Sequence, residues 1–279
     1  MKKHLFTAVL LFLTIHLLSQ EYSIEKLWST DAIFKTPESV IYDQANNQII
    51  VSNINGSPAD KDNNGFISLL NIDGSLKKLM WVEGMNAPKG MAISQNKLYV
   101  SDIDQLIEID IATAKIIRRY PNSSAQFMND VCVNKLGEVF ASDNQANIIF
   151  KLEEDKLIVW LKDGPLQRPN GIYSDENTLL IGMAGSLLKV DFQTKEATKY
   201  IENTGSIDGL EKVDETTFVI SNWSGAIHLV SPDYEKKKLL DTSSQKIYAA
   251  DIGYIKDEKI VLVPTFYDNR IFAYKLIKK

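Results

Sequence analysis

Hydrophobic and polar residues alternate in short runs along most of this chain. Gln48 to Ser52, Ile148 to Leu152 and Lys259 to Pro264 are apolar runs of five or six residues, rich in Val, Ile and Leu. Turns of Asn, Asp, Gly and Lys separate them, which is a pattern of β-strands. Beyond the first twenty residues no segment keeps a helical period.

The runs recur as a unit. Thr36-Pro37-Glu38-Ser39-Val40, Ala87-Pro88-Lys89-Gly90-Met91, Phe127-Met128-Asn129-Asp130-Val131, Arg168-Pro169-Asn170-Gly171-Ile172, Ser206-Ile207-Asp208-Gly209-Leu210 and Ala249-Ala250-Asp251-Ile252-Gly253 align, with anchors 51, 40, 41, 38 and 43 residues apart. A propeller blade occupies about 40 to 50 residues. Each anchor opens the same series: an apolar strand, a polar turn, a β-branched strand, a loop and two more strands. In the first unit these are Ser39 to Tyr42, Gln48 to Ser52, Phe66 to Ile72 and Leu76 to Val82. In the third they are Asp130 to Val133, Glu138 to Ser142, Ile148 to Leu152 and Leu157 to Leu161.

The sixth unit supplies only three strands, near Ala250 to Ile255, Lys259 to Pro264 and Arg270 to Leu276. Ile24-Glu25-Lys26-Leu27-Trp28 resembles Leu76-Lys77-Lys78-Leu79-Met80-Trp81 and reads as the missing fourth. The chain is therefore expected to be all-β: a single six-bladed β-propeller over residues 21–279, four strands per blade, its N-terminal strand closing the last blade and covering strand edges. Two separate β domains would leave the shared register unexplained.

The start of the chain has a different character. A basic Met1-Lys2-Lys3-His4 precedes the apolar run Leu5 to Leu18, too short for a hydrocarbon core of about 30 Å, and Ser19-Gln20 follows. This predicts a signal peptide over residues 1–20, cleaved near Ser19 or Gln20, and export to the periplasm or the medium. A retained signal anchor is the alternative, and no later segment is expected to span a membrane. Without Lys2 and Lys3 the chain carries 29 basic and 36 acidic residues, a net charge of −7, which argues against nucleic acid as a partner. Cys132 is the single cysteine, so no intrachain disulfide forms even where oxidation permits it, and its setting in Val131-Cys132-Val133 reads as buried. His228 is the only histidine after the leader, and it lies in the apolar run Ala226 to Val230. A structural histidine there leaves no base for Ser-His-Asp chemistry or for histidine-dependent propeller lyases. Oligomeric state is not set by these features.

The first strand of each propeller blade lines the channel, so Glu38, Lys89, Asn129, Asn170, Asp208 and Asp251 are expected to form one ring at one mouth. The set is rich in oxygen and has neither sulfur nor imidazole, which suits a hard divalent cation, Ca²⁺ above all, with Zn²⁺, Mg²⁺ or Mn²⁺ as others. Three carboxylates against one ammonium must share protons, form ion pairs or hold a cation. The plainer reading is a set of polar residues facing a water-filled channel.

These motifs resemble the family of senescence marker protein 30, gluconolactonase and luciferin-regenerating enzyme, six-bladed propellers that hold a divalent metal in the channel. The resemblance covers the chain from residue 21. It implies that Glu38, Asn170 of Asn170-Gly171 and Asp208 of Asp208-Gly209 ligate the metal, with Asn129 of Asn129-Asp130 binding metal or substrate. It further implies opening of a small lactone or ester by a metal-activated water, Asp208 moving the proton. Phe127 stands where sugar lactonases of the family carry a substrate-binding Arg, and Ser39-Val40 replaces their Gly-Pro. The substrate preference of those enzymes is therefore not implied, and Lys89, Phe127, Asn129 and Asp251 are the substrate-side candidates. Lys89 is also placed to reach toward Asp208 across the ring, in the position of a cation. A non-catalytic propeller that binds a ligand or a protein on its channel face is the alternative.

Other segments add less. Asp60 to Ile67 imitates the start of an EF-hand loop, but Asn71 occupies the twelfth position, so a polar hairpin is expected, within a loop from Asn53 to Gly65 that reaches over the mouth. Ser52-Asn53, Ser101-Asp102, Ser142-Asp143 and Ser221-Asn222, with Trp223 and Phe266-Tyr267, are placed either to support the ring from behind or to wall a substrate, if they are not simply turn formers. Asn55, Asn122 and Asn222 begin glycosylation sequons.

Overall fold

Short β-branched runs between polar turns become strands here because each is covered on both faces by a neighbouring blade. The computed structural model describes residues 22–278 apart from residue 163. Its strands form six four-stranded antiparallel sheets, and among the described residues the only helical pieces are two 3₁₀ turns, Ser243–Gln245 and Phe266–Asp268. Blade one runs from Pro37–Asp43 to Leu76–Met85, blade two from Pro88–Ser94 to Lys115–Pro121 and blade three from Met128–Val133 to Lys156–Lys162. Blade four runs from Ile172–Asp175 to Ala197–Glu202 and blade five from Leu210–Lys212 to Tyr234–Asp241. Blade six contributes Gly253–Ile255, Ile260–Pro264 and Ile271–Lys278, with Tyr22–Ser29 as its outermost strand. The fold is thus a six-bladed β-propeller. The leader expected at residues 1–20 lies outside the described residues, and no described helix is long and apolar enough to cross a membrane.

The core is divided among the blade interfaces. Six apolar clusters each join two adjacent blades; in one, Phe34, Val40, Ile49 and Leu70 of the first meet Ile255, Leu262 and Ile271 of the last. Second strands such as Gln48–Asn53 are buried along their whole length, whereas the outer strand Leu76–Met85 is mostly exposed. This explains why the inner strands read as continuous apolar runs. Cys132 is buried and free, packed between blades three and four.

Closure uses both ends of the chain. Tyr22–Ser29 pairs antiparallel with Ile271–Lys278, from Tyr22 opposite Lys278 to Ser29 opposite Phe272. The Trp28 ring lies over the Gly74 turn of blade one, where a Cβ would come within 2.6 Å of it. Around the channel, the Asp251 amide donates to the Glu38 carbonyl at 2.9 Å and locks blade six to blade one.

Register corrects one expectation. Val40 pairs with Val51, Val131 with Ala141 and Leu210 with Ile220, which puts Ser39, Asp130 and Gly209 opposite Ser52, Ser142 and Ser221. In blade six Gly253 pairs with Leu262, which puts Asp251 opposite Pro264. Asp251 is therefore level with Ser39, Asp130 and Gly209, one position deeper than the ring, and Ala250 holds the sixth place. The Ala250 amide donates to Pro264 O as the Asp208 amide donates to Ser221 O. Pro264 stands where blades one, two, three and five carry Ser52, Ser101, Ser142 and Ser221, which removes the cue that would have fixed the alignment.

Candidate functional site

The ring forms because the start of each inner strand is held from behind. Ser52, Ser142 and Ser221 accept, through Oγ, the amides of Ser39, Asp130 and Gly209 at 2.9, 3.0 and 2.8 Å. Asp102 accepts the amide of Ala87 at 2.7 Å, and Asp143 those of Gln126 and Phe127 at 2.7 and 2.9 Å, fixing the loops that lead into blades two and three. The repeated Ser-Asp and Ser-Asn pairs hold backbone; they do not wall a substrate. Glycine follows the anchor where inner strands touch: a Cβ on Gly171 would collide with the Asp208 carbonyl, and one on Gly209 with the Ile252 amide nitrogen. The glycines of Asn170-Gly171 and Asp208-Gly209 thus belong to blade packing, while Asn170 and Asp208 face the channel.

Glu38, Lys89, Asn129, Asn170 and Asp208 all line one cavity of about 550 Å³ at one mouth of the channel. Its upper wall carries Phe127, Arg168, Trp223, Phe266 and Tyr267, with Ile54 and Pro58 from the loop expected to reach over the mouth. The EF-hand-like stretch of that loop satisfies its own polar groups: Asn64 Nδ2 donates to Asp62 Oδ2 at 2.6 Å, and Lys61 pairs with Asp104 at 2.6 Å.

Four oxygens in the cavity have no partner. Glu38 Oε2, Asn129 Oδ1, Asn170 Oδ1 and Asp208 Oδ2 are all buried without a hydrogen bond. Buried polar atoms are nearly always satisfied, and leaving one bare costs about 1–3 kcal/mol. The amide of Asn170 donates Nδ2 to Asp208 Oδ1 at 2.6 Å, which fixes which oxygen of each residue stays free. Among the described residues no three His, Cys, Asp or Glu side chains gather at a spacing suited to a metal ion. A cation here would need the two asparagine oxygens as well as the two carboxylates. That donor set, four oxygens on four blades, fits a hard cation.

Electrostatics follow from burial. Burial lifts Glu38 well above the usual carboxylate range, with Asp208 and Asp251 adding to the rise and Lys89 opposing it. Burial pushes Asp208 up to about 7 against the Asn170 hydrogen bond. Burial draws Lys89 down to about 8 while Glu38, Asp102 and Asp143 pull it upward. The Lys89 ammonium donates to the Ala87 carbonyl at 2.9 Å and sits 4.5 Å from the centre of the Phe127 ring, a cation–π contact. It turns toward these two groups, and Asp208 Oδ2 remains unpartnered.

Asp251 lies apart, in a second cavity of about 250 Å³ on the far side of the ring, together with Asp130 and Glu211. Its Oδ2 accepts the Ser39 hydroxyl at 2.5 Å. The Asp130 carboxylate accepts the amides of Val131 and Ile172 at 2.6 and 2.7 Å, so the acid of Asn129-Asp130 joins blade three to blade four beneath the ring. Glu211 carries no motif that would have singled it out. Arg168 reaches the upper cavity from the first residue of the blade-four repeat, a place where the other repeats carry unrelated residues. His228 lies outside both cavities, in the third strand of blade five, with Nδ1 buried and unpartnered.

No protein-family model matches the chain, and no curated protein matches its sequence. Solved structures do match its fold. It is similar to a streptogramin B lyase, with a TM-score of 0.66 at 14% identity over 92% of this chain and 98% of that one. It is similar also to a catalytically inactive histidine-to-alanine variant of virginiamycin B lyase from Staphylococcus aureus with quinupristin, with a TM-score of 0.64 at 13% identity over 92% and 100%. A protein described as a putative gluconolactonase aligns with a TM-score of 0.66 at 15% identity over 92% and 93%. At these identities the likeness extends to the propeller.

Proposed function

We propose that this chain is an exported, metal-assisted hydrolase that opens a small lactone or ester in the upper cavity. The observation that carries the reading is the convergence of four buried, unpartnered oxygens from Glu38, Asn129, Asn170 and Asp208. Glu38, Asn129, Asn170 and Asp208 would hold a divalent cation, Ca²⁺ first among candidates. When bound, that cation supplies Lewis-acid polarisation of the substrate carbonyl and lowers the pKa of water. Asp208 would give Oδ2 to the cation and accept a proton from the attacking water at Oδ1, which keeps a lone pair beside the hydrogen bond from Asn170. The new bond joins the water oxygen to the carbonyl carbon, the ring or ester C–O bond breaks, and the proton passes from Asp208 to the departing oxygen. Lys89 has N–H groups beyond the one given to Ala87, and one of them would steady that oxygen.

The same geometry separates this reading from lyase chemistry. The virginiamycin B lyase variant is inactive after loss of a histidine. The cavity of the present chain has no histidine in its lining. The gluconolactonase-like neighbour agrees with a hydrolase. A silent, ligand-binding propeller is the second reading, favoured by the Lys89 ammonium, which adds positive charge beside the oxygens.

Metal content after purification in Ca²⁺, followed by a panel of lactones and esters, tests both. We expect about one bound cation per chain, turnover lost in chelator, and at least a hundredfold loss in Asp208→Ala, in line with the usual weight of a general base. A metal-free protein together with full turnover by Asp208→Ala overturns the hydrolase; metal without turnover of any panel member favours the silent propeller.

A further inference from the structure

The upper wall bears on the part of the substrate that does not react. Trp223 and Tyr267 are 43% and 54% exposed, unusually bare for large aromatic residues, and both line the cavity. They are rigidly backed. Trp223 lies 4.5 Å from Tyr248 between ring centres and 5.5 Å from Phe266, and Tyr267 lies 4.7 Å from Phe266 and 5.4 Å from Tyr248. The turn Phe266–Asp268 that presents Tyr267 is clamped by Thr265, whose Oγ1 accepts the Arg270 amide at 2.9 Å, and by the Arg270–Asp268 ion pair at 2.6 Å. Rings fixed in this way offer flat apolar area at little ordering cost.

The wall is also two-faced. Trp223, Phe266 and Tyr267 on blades five and six continue into Ile54 and Pro58 of blade one, whereas the opposite side carries the polar Asn144 and Arg168 beside Phe127, Arg168 Nη2 donating to Asn144 Oδ1 at 3.3 Å. A sugar-acid lactone bears hydroxyls around its ring, and those facing the apolar half would meet only the Tyr267 hydroxyl and the Trp223 indole N–H as partners. A flat ring leaves nothing unsatisfied on that side.

Resting on the hydrolase reading, we propose that the channel takes lactones or esters fused to or bearing an aryl group, its face seated against Trp223 and Tyr267 and its carbonyl directed down to Glu38 and Asp208. The cavity of about 550 Å³ has room for a bicyclic compound of this kind.

The test compares γ-butyrolactone with 2-coumaranone, its benzo-fused analogue, and with glucono-δ-lactone, each corrected for its hydroxide-catalysed rate. A parallel arm measures binding of 2-indanone, an inert ketone of the same shape, by isothermal titration calorimetry, which does not depend on Trp223 as a reporter. In the wild type, 2-coumaranone should exceed γ-butyrolactone at least thirtyfold in kcat/KM. Trp223→Ala should lower that ratio at least tenfold and abolish the 2-indanone signal, and Trp223→Phe should restore most of the ratio. A ratio unmoved by Trp223→Ala, a preference for glucono-δ-lactone, or turnover without 2-indanone binding overturns the aryl seat while the hydrolase stands. Trp223-dependent binding of 2-indanone with no turnover of any lactone supports the aryl seat and removes the hydrolase.

Discussion

Single residues in the channel carry costs that a folded protein does not keep without return. An unpartnered buried amide oxygen such as Asn129 Oδ1 costs about 1–3 kcal/mol. In chelator, Asn129→Leu should therefore be as stable as the wild type or more so, by up to about 2 kcal/mol. In Ca²⁺ the wild type should gain about 2.7 kcal/mol at a hundredfold excess over Kd, and Asn129→Leu should gain little. Urea unfolding in both buffers measures the difference; an equal Ca²⁺ gain in the two proteins removes Asn129 from the ligand set. Glu211 makes a separate prediction. Burial pushes it up to about 8 against the Tyr254 amide, far above its unfolded value near 4.3. The folded state thus binds the proton more tightly, so its contribution is complete below about pH 4 and is lost as pH rises toward 8. Because Glu211 keeps partial contact with water, the loss between pH 5 and 8.5 should be about 1–3 kcal/mol. Unfolding curves at the two pH values should show it in the wild type, and Glu211→Gln should flatten that part of the profile.

Elements explain why the sequence spoke clearly in some places and not in others. The blade repeat was legible because every interface needs the same thing, a second strand apolar on both faces, and β-branched runs such as Ile49-Ile50-Val51 recur wherever one blade packs on the next. That Glu38, Asn129, Asn170 and Asp208 share one cavity was legible because inner strands begin alike. Asp251 was misplaced by one residue because register is set by pairing with the second strand, and Pro264 removes the serine cue in blade six. The aromatic cluster was only half visible: Trp223, Phe266 and Tyr267 stand at a repeated strand end, but Tyr248 joins them from another loop that no pattern marks. Glu211 faces the lower cavity from a three-residue strand too short to show a period. Glycine after the anchor reads as a functional dipeptide and proves to be packing. Gly171→Ala should cost about 1–3 kcal/mol through overpacking against the Asp208 carbonyl, while Gly185→Ala, with nothing within 4 Å of the added carbon, should stay within about 0.5 kcal/mol. Thermal unfolding of the two variants distinguishes a close approach between inner strands from a general intolerance of alanine.

At the scale of the molecule, everything in the channel depends on the ring remaining shut. Six of the apolar clusters each belong to two blades, so a gap between blades six and one would expose the faces now buried by Phe34, Val40, Ile255 and Leu262. The outer strand Tyr22–Ser29 holds blade six in the ring in three ways. It covers the edge of Ile271–Lys278, it lays Trp28 on the Gly74 turn, and it ties blade five through the Tyr22 hydroxyl, which donates to Asp214 at 3.0 Å. Deletion of residues 22–29 should leave an unpaired edge that recruits other chains. For a chain of this size a loss of several kcal/mol corresponds to a fall in Tm of about 10 °C or more. Calorimetry and light scattering on the truncated protein check both effects. A truncated protein that melts with the wild type and stays monodisperse would show that hydrogen bonds at the channel, such as that from Asp251 to Glu38, suffice to close the ring. The oxygens of Glu38 and Asp208 would then owe their alignment to the inner strands alone, and loss of the outer strand should leave any Ca²⁺-induced rise in Tm intact.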